Sequence, residues 1–198
     1  MSNIILASSN LHKLEEMNSL FKSELFSLEA APSKLAVIED GETFHENALI
    51  KARAYSKKFK TPALADDSGL VVEALPGELG IKTARFGGEG LTDQERYELL
   101  LEKLKGKNER QAYFVCVLCY YFSEKEYYFF EGRLRGDILE AASGNQGFGY
   151  DPVFAPEAMN SKSLADLPDW KMKNSHRALA FEHANKFFKN YPESIAKS

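Results

Sequence analysis

Hydrophobic positions along the chain follow two periods, and the switches between them mark out its elements. Asn3 to Ala7 is a short apolar run that reads as a buried strand. From Asn10 to Lys22, Leu14, Met17 and Phe21 recur at helical spacing. Thr43 to Lys60 is a stronger helix: Phe44, Ala48, Ala52, Tyr55 and Phe59 share one face, and Pro62 closes the region. Pro62 to Ala65 and Leu70 to Ala74 read as two short strands on either side of an acidic step. Thr92 to Lys105 places Tyr97, Leu100, Leu101 and Leu104 on one helical face. Gln111 to Phe122 and Glu126 to Arg135 are long strands joined by a short polar stretch, so a hairpin is expected. The first is apolar on both faces, as a central strand would be. The chain closes with a helix from about Ser175 to Lys189. Strands, helices, a hairpin and a final helix predict an α/β protein with a mixed sheet flanked by helices.

Composition narrows the class. The 198 residues suit a single domain, 1–198, with room for two lobes. The formal net charge of −4 gives no basic face, which argues against nucleic acid as a partner. An anionic small molecule would need a local cluster of Lys and Arg. The longest apolar run, Ala112 to Phe122, falls short of the ~20 residues that span a bilayer. No signal-peptide pattern stands at the N-terminus. A cytoplasmic protein without membrane contact is expected. Cys116 and Cys119 have C-x-x-C spacing, but residues three apart on a strand point to opposite faces, so they read as two buried small hydrophobes.

Six segments carry candidate chemistry. Ser8, Ser9 and Asn10 lie between a strand and a helix, with Lys13 one turn in; free N–H groups there would favour a phosphate, and plain N-capping explains the same residues. Thr43 and Glu46 fit a capping box, with Lys51 further along the helix and the acidic loop Glu39-Asp40-Gly41-Glu42 before it. Ala65-Asp66-Asp67-Ser68-Gly69 sets two carboxylates against an apolar run. That is costly unless a cation pairs with them, although Asp-Ser-Gly is also good turn chemistry. If a strand continues through the step, the two side chains diverge and only one can act as a base. In Gly80 to Gly88, two adjacent glycines after an Arg would allow close approach of a ligand, and a flexible surface loop explains them equally. In Gly147-Phe148-Gly149-Tyr150-Asp151, Phe148 could stack on a base and Asp151 could accept hydrogen bonds. Lys171, His176 and Arg177 gather at the start of the last helix, where an Arg fork suits a carbonyl or phosphate. His45 and His183 read as structural.

In this order and spacing the segments resemble the inosine triphosphate pyrophosphatase family, which hydrolyses non-standard purine nucleoside triphosphates. The resemblance rests on Thr43-Phe44-His45-Glu46-Asn47-Ala48 with Lys51-Ala52-Arg53, on Ala65 to Leu70, on Gly147 to Pro152, and on Ser175-His176-Arg177. It implies an elongated α/β fold with a central cleft between two lobes, a homodimer, Mg²⁺, and cleavage to the monophosphate and pyrophosphate. Carried over by position, Ser8, Ser9, Asn10 and Lys13 would hold the triphosphate. Asp67 would be general base and metal ligand, Glu39 the second metal carboxylate, and Ser68 a substrate contact. Lys13 and Lys51 are candidates to stabilise leaving-group charge. Phe148, Gly149, Tyr150, Asp151, Lys171, His176 and Arg177 would line the base and sugar pocket, with Arg177 or His176 donating to a 6-keto oxygen. The family has Thr-Gly-Asn where this chain has Ser8-Ser9-Asn10. A nucleotide sensor without catalysis and a pyrophosphatase of modified pyrimidine nucleotides are the alternatives.

Overall fold

The computed structural model describes residues 2–8, 11–23 and 26–190. Among the described residues six strands form one sheet in the order β2-β1-β3-β4-β5-β6. They are β1 (Ser2–Leu6), β2 (Phe26–Ala30), β3 (Ala63–Val72), β4 (Gln111–Ser123), β5 (Glu126–Ile138) and β6 (Phe154–Pro156). β1 runs parallel to β2 and β3, and β5 runs antiparallel to β6, so the sheet is mixed as the pattern predicts. Among the described residues five α-helices accompany it: α1 (Leu11–Leu20), α2 (Phe44–Phe59), α3 (Asp93–Lys103), α4 (Pro168–Asn174) and α5 (His176–Lys189). No helix among the described residues is long and apolar enough to cross a membrane.

The chain divides into two compact units. The first comprises 1–67, 116–132 and 177–198. Its core gathers Ile4 and Leu6 of β1, Met17 of α1, Leu64 of β3, Leu118 and Tyr120 of β4, and Phe181 and Phe188 of α5. The second comprises 68–115 and 133–176, around Leu70, Leu100, Phe114, Ile138 and Phe154. Cys116 and Cys119 are both free and buried, and burial pushes each thiol up to about 12, which leaves them as small hydrophobes with no thiolate chemistry.

Local chemistry explains the helix ends. Thr43 accepts from the Glu46 N–H while the Glu46 carboxylate accepts from the Thr43 N–H, the capping box expected of that spacing. Lys60 then ends α2 in the left-handed region, at φ 53. The same box, Thr92 with Glu95, opens α3.

Three expectations change. The acidic step is not a turn between two strands: β3 is continuous from Ala63 to Val72. Pairing on the sheet overrides the turn preference of Asp-Ser-Gly, because a break there would strand buried N–H and C=O groups. The stretch Gly80–Arg85 is a 3-10 helix held from inside by Thr83, whose hydroxyl accepts from Leu70 N–H at 3.0 Å. β2, β6 and the short α4 had no clear periodic signal and are additions to the pattern.

Candidate active site

The two carboxylates of β3 are adjacent in sequence and opposite in environment. Successive strand side chains leave on opposite faces. Asp66 goes into a buried cluster of cations in the first unit. Lys13 Nζ lies 2.9 Å from its Oδ2, and Arg177 Nη2 lies 3.5 Å from the same oxygen. Arg177 also pairs with Glu16, one turn beyond Lys13 on α1. Burial alone would push the Asp66 carboxyl up, but the charges of Lys13, Arg177 and Lys51 outweigh it and hold the group well below the carboxylate range. Asp66 is therefore a permanent anion that neutralises a knot of positive charge.

Asp67 has the reverse balance. Burial raises its carboxyl; the Lys51 charge lowers it, the Asp66 charge raises it, and a hydrogen bond from the Asn47 side chain lowers it. The net position is about 6, against 3.8 for a free aspartate. A carboxylate at about 6 is ionised at neutral pH yet a markedly better proton acceptor than an ordinary one. Lys51 is the common neighbour of the acids. From α2 its Nζ reaches Glu39 Oε2 at 3.0 Å and the Asp66 backbone oxygen at 2.8 Å. Burial works against its charge, but Asp66, Glu39 and Asp67 together raise its pKa.

These donors suit a hard cation. Glu39 and Asp67 both lie in the field of the same ammonium, so a positive charge is accommodated beside each of them. Mg²⁺ takes one or two protein carboxylates and fills its remaining positions with water and phosphate oxygen. No group of three or more His, Cys, Asp or Glu that could hold a metal ion occurs among the described residues.

The second unit holds an aromatic and glycine-rich cluster. Gly147 and Gly149 have φ of +82 and +64, conformations that glycine adopts without strain. Between them Phe148 presents its ring, with Lys171 Nζ 4.4 Å from the centroid. Asp151 is 3% exposed and accepts at Oδ2 from the Phe148 N–H and from Lys171, each at 2.8 Å. Tyr150 donates to the Thr83 carbonyl at 3.1 Å. His176 is stacked on Phe114 at 4.8 Å between centroids. Phe148, Gly149, Tyr150, Asp151 and Lys171 are thus brought together.

Other site expectations place less simply. Ser9 and Asn10 lie outside the described residues. Ser8 follows β1 and is half-buried, and Ser68 follows Asp67 in β3. Arg177 is 1% exposed, and its guanidinium pairs with Glu16 and Asp66 in the first unit. Three contributors escape a reading of the sequence. Glu16 stands three residues from Lys13, so helical spacing could have paired them. Asn47 is hidden by the capping box next to it. Asp93, which accepts the Gly149 N–H at 2.7 Å, gives no signal because its partner is distant in sequence.

The acidic and basic cluster of the first unit suits phosphate and cation, and the aromatic, glycine-rich cluster of the second suits a base, the donor sets that a nucleotide-hydrolysing enzyme needs. The sequence profile described as Ham1 family matches residues 4–187, and the chain belongs to that family. It is 44% identical over 181 residues to a protein named dITP/XTP pyrophosphatase from Thermoanaerobacter sp. (strain X514), covering 88% of this chain and 90% of the relative. A protein of the same name from Leptospira interrogans is 41% identical over 195 residues, covering 96% and 98%. Among solved structures, the Ham1 protein of Staphylococcus aureus superposes with a TM-score of 0.85 at 35% identity, over 96% of this chain and all of the other (100%). That of Coxiella burnetii gives 0.86 at 36% identity, over 96% and 99%.

Proposed function

We propose that the protein hydrolyses non-standard purine nucleoside triphosphates, among them ITP, dITP and XTP, to the monophosphate and pyrophosphate. The observation that carries this reading is the contrast within β3, where Asp66 is fixed as an anion and Asp67 is held at about 6 beside Lys51 and Asn47.

In the proposed reaction Asp67 orients a water against the α-phosphorus and takes its proton. The new bond joins the water oxygen to the α-phosphorus. The bond from that phosphorus to the bridging oxygen breaks, and pyrophosphate leaves with the electron pair. Glu39 and Asp67 would hold Mg²⁺, which offsets triphosphate charge and polarises the phosphorus. Lys51, fixed between Glu39 and the Asp66 carbonyl, supplies a localised positive charge for the departing oxygens. Ser8, Ser9, Asn10 and Lys13 are assigned to the triphosphate and Ser68 to the substrate. Phe148, Gly149, Tyr150, Asp151, Lys171, His176 and Arg177 are assigned to base and sugar. A 6-keto oxygen would accept from this basic set, where the 6-amino group of adenine would set donor against donor.

The test is pyrophosphate release from ITP, XTP, dITP, GTP and ATP with Mg²⁺. Preference for the 6-keto non-standard nucleotides supports the reading, and equal cleavage of ATP sinks the selectivity account. Release from modified pyrimidine nucleotides ahead of ITP would reassign the substrate class. The cytoplasmic setting and the homodimer belong to the same proposal; light scattering of the purified protein decides the second.

A further inference from the structure

We infer that Asn47 is a positioning residue whose single amide fixes the loop bearing Glu39 and the carboxylate of Asp67 in one frame, and so sets the affinity for the metal. The inference rests on the proposed assignment of Glu39 and Asp67 as metal carboxylates. Asn47 sits in the first turn of α2 and is 2% exposed. Its amide oxygen accepts from the Gly41 N–H at 2.8 Å, and its side chain also hydrogen-bonds Asp67. Since the Asp67 carboxylate only accepts, the Asn47 nitrogen is the donor, and the rigid amide plane ties both partners together.

The loop end of this tie is tight. The next two backbone N–H groups, of Glu42 and Thr43, both donate to the Glu46 carboxylate, at 2.7 and 3.0 Å. Three consecutive N–H groups thus end on two neighbouring side chains of α2. A Cβ on Gly41 would lie 2.7 Å from Glu46 Cβ and 2.8 Å from Asn47 Oδ1, so the loop seats without room for any side chain there. Glu39, two residues upstream, meets Lys51 on the same helix. The capping box accounts for Glu46 but not for Asn47, whose burial and two-sided bonding go beyond what helix initiation needs. Mg²⁺ accepts little deviation from octahedral geometry at ~2.0–2.1 Å, so letting one carboxylate drift removes a ligand.

The experiment is a titration of the nucleotide-free protein with Mn²⁺, followed by the electron paramagnetic resonance signal of the free ion. Asn47→Leu, which keeps the volume and removes both hydrogen bonds, should weaken Mn²⁺ binding by about tenfold or more, as losing a partner behind a metal ligand does. Gly41→Ala, which strikes the same junction from the loop side, should do likewise. Circular dichroism should show both folded, and the nucleotide KM at saturating Mn²⁺ should stay near that of the parent while kcat falls. If Asn47→Leu does not fold, Gly41→Ala decides alone. Parental Mn²⁺ affinity in either folded variant overturns the inference. Asp67→Asn separates this failure from that of the metal assignment: if it too binds Mn²⁺ as the parent does, the assignment is wrong. If it loses Mn²⁺ while the two junction variants keep it, only the role of Asn47 is lost.

Discussion

Asp67→Asn removes a charge that the fold holds against its own preference. The carboxyl sits at about 6 in the folded chain against 3.8 for the ordinary side chain. That displacement corresponds to ~3 kcal/mol at neutral pH, so the free folded state carries up to that cost while Asp67 is ionised. Asparagine keeps the volume, and its amide oxygen can still accept from Asn47. With some of the gain lost to an imperfect amide fit, the variant should be ~1–3 kcal/mol more stable at pH 7.5. The sign also fixes the pH dependence. A raised folded pKa means that the folded parent binds more protons than the unfolded chain between about 6 and 3.8. The parent therefore gains stability as pH falls through that window, and the advantage of the variant is full above it and gone below it. Urea unfolding in EDTA at several pH values measures the difference, and pyrophosphate release at pH 7.5 should show turnover down by ~10²-fold or more. A variant less stable than its parent at pH 7.5, or more stable by an amount independent of pH, would refute the account of Asp67 as a carboxylate held up by burial.

Asp66→Asn should do the opposite: it leaves Lys13, Arg177 and Lys51 around a neutral group, and breaking a buried charge cluster typically costs ~3–5 kcal/mol. Urea unfolding measures it, and a loss under ~1 kcal/mol would remove Asp66 from the role of counter-ion. Tyr120→Phe should raise stability by ~1 kcal/mol, because the buried Tyr120 hydroxyl has no hydrogen-bond partner among the described residues. A lower thermal midpoint would show that it has one. Lys171→Met keeps the aliphatic stem but releases Asp151 and the Phe148 ring, so nucleotide KM should rise more than kcat falls. A change confined to kcat would move Lys171 out of binding.

Much of this molecule is legible in its sequence because its long elements carry strong local signals. α2 has a five-residue apolar face, an N-terminal capping box and a proline beyond its end, and each points to the same boundaries. β4 reads as central from its apolar faces alone and lies inside the sheet. What escapes depends on partners far along the chain. β3 looks like two strands because Asp-Ser-Gly favours a turn locally; only pairing on both flanks, to β1 and β4, keeps it extended. The surroundings of Arg177 stay hidden because a sequence cannot show that Glu16 and Asp66 converge on it from α1 and β3. Asn47 stands in plain view within a motif already explained by helix capping, and a residue with a sufficient local reason hides a second one.

The placement of two carboxylates side by side on a strand has a physical logic that a turn could not supply. In a turn both would reach water, and both would titrate near the ordinary value. On a buried strand they leave on opposite faces, so neighbours one residue apart meet unrelated surroundings. The side facing α1 and α5 offers Lys13 and Arg177, and Asp66 is pinned as an anion. For Asp67 the charges of Lys51 and Lys13 and the Asn47 amide do not offset burial and the neighbouring Asp66 charge, and the carboxyl stays raised. The anion at Asp66 also adds to the raising of Asp67 through its charge, so one acid tunes its neighbour. Changing either residue therefore moves both, and the stability effects of Asp66→Asn and Asp67→Asn should not add: with Asp66 neutral, the Asp67 carboxyl falls and the gain from Asp67→Asn shrinks.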